Sequence, residues 1–136
     1  MRANAHLTFR GECEAAFRFY EQTLGGQLIT MLRYGDSPMA ASVPPDWRDK
    51  IVHATLSLGD GSLLLGADVE PEHYQQPRGF YVLLTVATAN DAQRVFSALA
   101  EGGRVEMALQ KTFWSEAFGV VVDRFGVPWE VGCERM

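Results

Sequence analysis

The sequence predicts an α+β fold built from two βαβββ modules. Three observations predict it. Two amphipathic segments at helical spacing each stop at a Gly-Gly pair, each is flanked by short apolar strands, and the two sets match when the chain is slid by 77 residues. That offset places Gly25 on Gly102, Phe19 on Phe96, Ala15 on Ala92 and Leu28 on Val105. At 136 residues, 47% hydrophobic and 21% charged, the chain reads as one domain over 1–136, large enough for a real core. Module one is expected over about 1–67, a linker over about 68–79 and module two over about 80–136.

The elements follow in order. "HLTF" (6–9) is a short first strand. Residues 14–24 place Ala16, Phe19, Tyr20, Thr23 and Leu24 on one helical face, and "GGQLITMLRY" supplies the next strand. "IVHATLSL" and "SLLLGAD" flank Gly59-Asp60-Gly61, a hairpin signal. In the second half "FYVLLTV" (80–86) precedes a helix over 91–101, with Ala92, Val95, Phe96, Leu99 and Ala100 on its apolar face. Asn90 is its candidate N-cap, with Gln93 at capping-box spacing. "GGRVEMALQ", "FGVVVD" and "VPWEV" complete the module, the last two joined by Arg124-Phe125-Gly126. The three-proline stretch 35–50 is long enough for a lid or a partner-contacting loop.

Charge and cysteines narrow the partners. A net charge of −5, with Arg and Lys scattered, argues against nucleic acid or an anionic membrane. No apolar run reaches bilayer length. Cys13 and Cys133 have no C-x-x-C spacing and no apolar leader follows Met1 and Arg2, so a reducing cytoplasm is expected. Cys13 opens the first helix, where a thiol pKa can fall; a half-buried inert thiol is the competing reading. His73, in the linker, reads as surface.

Strand alternation sorts the polar residues. The helices should cover Leu7 and Phe9; Val52, Ala54, Leu56 and Leu58; Phe80, Val82, Leu84 and Val86; and Val127, Trp129 and Val131. The opposite face then carries His6, Thr8, Ile51, His53, Thr55, Ser57, Tyr81, Thr85 and Glu130. A half-wet antiparallel sheet gives the same alternation, and so does a concave ligand site. Phe113 and Trp114, in the loop before the seventh strand, either close over a planar ligand or simply pack.

"LTFRGECEAAFRFYEQTLGG", "HATLSLGDGSLLLGAD" and "LQKTFWSEAFGVVVDRFGVPWEV" together span nearly the whole chain. In them the sequence resembles the vicinal oxygen chelate superfamily, which includes glyoxalase I and the bleomycin-resistance proteins, and within it the PhnB-like group. The resemblance implies paired βαβββ modules, each an open sheet, together forming a curved mixed sheet, a glyoxalase/bleomycin-resistance-like cup, usually in a homodimer. In metal-dependent members four ligands come from the first and last strands of the two modules. His6 and Glu130 fall on two of those positions. About Tyr81 falls on the third, and the fourth strand offers only Leu63, Leu64, Leu65 and Gly66.

Two ligands are fewer than a catalytic divalent ion needs. His53 could be a third, in a two-histidine, one-carboxylate set suited to zinc, nickel or non-haem iron; manganese is a further candidate. One expectation is therefore a non-catalytic cup that binds a small, planar or cationic ligand through His53, Thr55, Tyr81 and Trp114. Another is a metal-dependent lyase, isomerase, dioxygenase or thiol transferase, with His6 and Glu130 holding the ion and Glu130 serving as catalytic base. A third is a dimeric structural module. Methyl transfer from a nucleotide-type cofactor is not expected, because the one G-x-G, Gly59-Asp60-Gly61, joins two strands. No Arg or Lys cluster suited to a phosphonate dianion is expected on the cup face.

Overall fold

The computed structural model describes residues 1–133. The last three positions of the expected second module, 134–136, lie outside the described residues. Two compact units form, Met1–Gln75 and the described residues from Gln76 on. Unit one contains β1 (Ala5–Phe9), α1 (Cys13–Leu24), β2 (Gln27–Arg33), β3 (Ile51–Ser57) and β4 (Leu63–Asp68). Unit two contains β5 (Val82–Val86), α2 (Ala89–Ala100), β6 (Arg104–Gln110), β7 (Phe118–Val122) and β8 (Pro128–Cys133). Each unit is the expected βαβββ module, and each builds its own open four-stranded sheet: β1-β4-β3-β2 in one, β5-β8-β7-β6 in the other. Both sheets are mixed, with the first strand parallel to the last and the remaining pairs antiparallel.

The duplication extends to irregularities that sequence alone does not reveal. β2 bulges between Leu28 and Thr30, and β6 bulges between Val105 and Met107, positions 77 apart. A bulge inserts one residue, bends the strand and reverses which face follows. Gly25 and Gly102 both adopt positive φ, 76° and 73°, just beyond the helices, a conformation that costs glycine little. A Cβ on Gly26 would lie 2.5 Å from the Ser57 carbonyl oxygen, and one on Gly103 would strike that of Val122. Each helix exit therefore needs its second glycine for space.

α1 lies against β2, β3 and β4. Its buried stripe is Cys13, Ala16, Phe17, Tyr20 and Thr23, a helical i, i+3, i+4, i+7 series counted from Cys13. Phe17 rather than Phe19 is thus the central aromatic, and Phe19 and Leu24 are half-buried. Gly66 makes room for it, since a Cβ there would sit 2.5 Å from the Phe17 ring. Phe9 and Tyr20 meet Phe17 edge-on at 6.1 and 5.9 Å between centroids. Each such ring withdraws about 1.5–3 kcal/mol worth of apolar surface from water.

α2 packs on all four strands of its sheet through Ala92, Val95, Phe96 and Leu99. Its N-cap is Thr88, two residues before the expected Asn90: the Thr88 hydroxyl accepts from Asp91 N–H at 3.0 Å. Asp91 in the first turn also suits the positive end of the helix dipole. Gln93 instead donates to the Ser97 hydroxyl.

Two other local expectations are corrected. Ile51 does not share a face with His53, because the β2–β3 register shifts between Leu32 and Arg33, which oppose His53 and Ile51. The shift turns Ile51 into the core, fully buried. β5 begins at Val82 rather than Phe80, so Phe80 and Tyr81 precede the strand as exposed residues. Extending the β5–β8 ladder would pair Tyr81 with Pro128, which has no N–H to give.

Candidate functional site

The helix-free faces of the two sheets carry His6, His53, Thr55 and Glu130. In unit one a cross-strand row runs Thr30, Thr55, Leu65, His6 over β2, β3, β4 and β1. His53 lies on the same face, half-buried, with its Nε2 3.2 Å from the Thr55 hydroxyl. Thr55 is buried, and His6, at the sheet edge, is exposed. β4 separates the strands of His6 and His53, so their backbones stand about 10 Å apart across the sheet.

In unit two the corresponding row is Leu83, Glu130, Val120, Met107 over β5, β8, β7 and β6. The sequence order Trp129-Glu130-Val131 thus becomes geometry: Trp129 and Val131 are fully buried on the helix side and half-buried Glu130 points the other way. No hydrogen bond or ion pair holds the Glu130 carboxylate among the described residues. The next row along holds Thr85, Gly132 and Phe118. A Cβ on Gly132 would lie 3.1 Å from the Phe118 ring, so the ring spreads over that glycine. Trp114 meets Phe118 edge-on at 5.3 Å and Phe113 at 4.7 Å. Phe113 and Trp114 remain 83% and 47% exposed, so this aromatic group combines mutual packing with an open surface. Phe118 is not among the expected ligand contacts, although glycine within an apolar strand signals a close approach.

Tyr81 stands apart from the Glu130 row because it precedes β5. The position opposite Glu130 on β5 is Leu83, which offers no donor atom. On β4 the helix-free face presents Leu63, Leu65 and Ala67, equally without donors. Among the described residues no group of three or more His, Cys, Asp and Glu side chains is gathered as metal ligands. At the expected ligand positions His6 and Glu130 are fewer than the three or so protein ligands that a catalytic divalent ion needs.

Two buried carboxylates outside the candidate site, Asp68 and Asp123, are structural. The Asp68 side chain, 1% exposed, accepts from the N–H groups of Gly11, Cys13 and Ile51, each at 2.9 Å. It ties the entry to α1 to the start of β3. Cys13 beneath it is fully buried, and burial, then the charges of Asp68 and Glu14, push its thiol pKa well above the usual range. The thiol is accordingly inert, not activated by the helix terminus. Asp123 organises the β7–β8 turn in the same manner. Cys133 is also a buried free thiol, and His73 is exposed.

A family model described as Glyoxalase/Bleomycin resistance protein/Dioxygenase superfamily matches residues 4–131. The chain is 34% identical to Protein YjdN of Escherichia coli (strain K12), over 96% of this chain and 94% of YjdN. The crystal structure of protein PA1353 from Pseudomonas aeruginosa superposes with a TM-score of 0.90 and 44% identity, covering 100% of this chain and 99% of that one. The PhnB protein from Bacillus cereus, whose name also carries a 3-demethylubiquinone-9 3-methyltransferase label, has a TM-score of 0.81. At 24% identity over 98% and 99% of the two chains, that last likeness is one of fold. No helix among the described residues is long and apolar enough to cross a membrane. With its paired βαβββ units and a family match over almost its whole length, the chain belongs to the Glyoxalase/Bleomycin resistance protein/Dioxygenase superfamily.

Proposed function

We propose that this chain is a small-molecule-binding member of its superfamily, working without a bound ion, whose ligand is a planar aromatic cation. The observation that carries this reading is the unpartnered Glu130 carboxylate between Leu83 and Val120, one row from the Phe118 and Trp114 rings. A half-buried carboxylate beside apolar side chains interacts with a cation more strongly than one in bulk water. Exposed aromatic rings next to it offer stacking and cation–π contact. His53, Thr55 and His6 are proposed as polar ligand contacts on the helix-free face of unit one by itself. Assembly as a homodimer and residence in the cytoplasm belong to the same reading, as do module boundaries near 67 and 80.

Metal-dependent lyase, isomerase, dioxygenase or thiol-transferase activity has less support, because only His6 and Glu130 carry donors at the family's ligand positions. The same reading has no methyl transfer of the kind that the name of the Bacillus cereus relative suggests. The Gly59-Asp60-Gly61 segment is a hairpin turn between β3 and β4, not the glycine-rich strand-to-helix turn that cradles a nucleotide.

Ethidium, a planar fluorescent cation, tests the reading. Binding should saturate, and Glu130→Gln and Trp114→Ala should each weaken it about tenfold or more, equivalent to about 1.4 kcal/mol. Affinity unchanged in both variants would overturn it.

A further inference from the structure

A second feature of unit two has a different chemistry. A hollow of about 240 Å³ lies between the segment Gln76–Tyr81 and the helix-free face of the sheet. Its floor includes Val122 and Pro128, directly paired across β7 and β8. Arg78 on the segment and Arg104 at the start of β6, each carrying a guanidinium group, line its wall with Phe80, Tyr81 and Pro77. Glu106 is the one acidic residue of the lining.

The fold builds this arrangement in two ways. Gln76 donates its side-chain N–H to the Gly126 carbonyl at 2.7 Å, pinning the segment to the β7–β8 turn. The β6 bulge changes the strand's parity between Val105 and Met107, so Arg104 and Met107 share the helix-free face although they are three residues apart. Without the bulge, a strand with Met107 on that face would turn Arg104 toward the helix side. Glu106 approaches Arg104 only loosely, at 3.7 Å, with Arg104 70% exposed. Arg78 makes no ion pair among the described residues.

We infer that this hollow binds a small aromatic carboxylate. Two guanidinium groups match the planar oxygen pair of a carboxylate. Phe80 and Tyr81, 52% and 42% exposed, present rings to an aromatic body, and Val122 and Pro128 give it an apolar floor. With Glu106 ionised, the lining carries one net positive charge, which suits a monoanion better than a phosphate dianion. The volume lies below the ~300–1,000 Å³ of drug-sized sites, so the ligand is a single ring. Glu130 does not line the hollow, so this site stands independently of the proposed cation site.

Benzoate is the probe, followed by two-dimensional NMR on the isotope-labelled full chain. Benzoate should shift the signals of Arg78, Tyr81 and Arg104 saturably, with Kd on the order of 1 mM. Benzamide, its neutral counterpart, and inorganic phosphate should each bind at least tenfold more weakly. The double variant Arg78→Gln with Arg104→Gln, both on exposed side chains, should keep its dispersed spectrum and lose at least tenfold in benzoate affinity. Equal binding of benzamide, no saturable shift with benzoate, or undiminished affinity in the double variant would overturn the inference. Benzoate binding that depends on Glu130 or Trp114 but not on the arginines would overturn it too, whatever ethidium does.

Discussion

The Asp123 carboxylate accepts the indole N–H of Trp129 at 2.8 Å, with both residues buried beneath the β7–β8 turn. Its other oxygen accepts from the N–H groups of Phe125 and Val127 at 2.9 and 3.0 Å. One carboxylate thus closes the turn and fixes the largest core side chain, in the strand that turns Glu130 to the opposite face. Asp123→Ala would strand three donors, one or more of them away from water. A loss of about 3–5 kcal/mol in unfolding free energy is expected from urea denaturation. A loss below about 1 kcal/mol would show that water replaces the carboxylate freely.

Asp68 performs the same task in unit one, with Cys13 buried under it. In the wild-type protein a thiol reagent such as Ellman's should react with Cys13 only as fast as the fold opens. Asp68→Ala in a Cys133→Ala background should accelerate that reaction at least tenfold by releasing the Gly11–Cys13 backbone. Equal rates in the two proteins would mean that Asp68 does not hold the α1 entry closed.

The raised Cys13 pKa has a pH consequence. In the unfolded chain the thiol ionises near its ordinary value, about 8.5, whereas in the fold it keeps its proton well beyond that. Above about pH 8.5 the folded state therefore binds more protons than the unfolded state, and stability falls as pH rises, by up to about 1.4 kcal/mol per unit. Below that value the thiol contributes no slope. Urea midpoints of wild type and Cys13→Ala at about pH 7.5 and about pH 10 should diverge, with wild type losing more; parallel behaviour would contradict the assignment.

Arg33 grips Glu14 with both nitrogens, at 3.0 and 3.1 Å, and this pairing lowers the Glu14 pKa. The stabilisation is present above the unfolded glutamate value of about 4.3 and is lost as pH falls through the lower folded value. Both side chains are about a third exposed, so Glu14→Gln should cost no more than about 1 kcal/mol at neutral pH. The difference should shrink in high salt and vanish in acid; persistence below about pH 3 would show that it is not electrostatic.

Much of the architecture was legible because it rests on local chemistry. The Gly25-Gly26 and Gly102-Gly103 pairs end helices, the Asp60-Gly61 step turns a hairpin, and apolar alternation turns Trp129 inward and Glu130 outward. What escaped depends on contacts between strands. The bulges at 28–30 and 105–107 leave no periodic trace, yet they decide where Arg104 points, and the shift opposite Ile51 carries that residue into the core. Phe17 is one helical step from the residue the pattern favoured, and only Gly66 across the sheet selects it. Asp68 and Asp123 look like ordinary turn residues until the N–H groups around them are seen. For the site, His53 and Thr55 do touch, Glu130 and Trp114 belong to adjoining parts of one face, and Tyr81 was displaced by the missing N–H of Pro128.

Ethidium affinity measured by fluorescence anisotropy with excess EDTA, and again with added zinc, nickel, manganese or iron(II), tests the central claim most directly. The expected result is saturable binding that chelator leaves unchanged and that Glu130→Gln weakens about tenfold. Binding that EDTA abolishes and a metal restores, with His6→Ala removing the restoration, would contradict it and return His6 and Glu130 to the role of metal ligands.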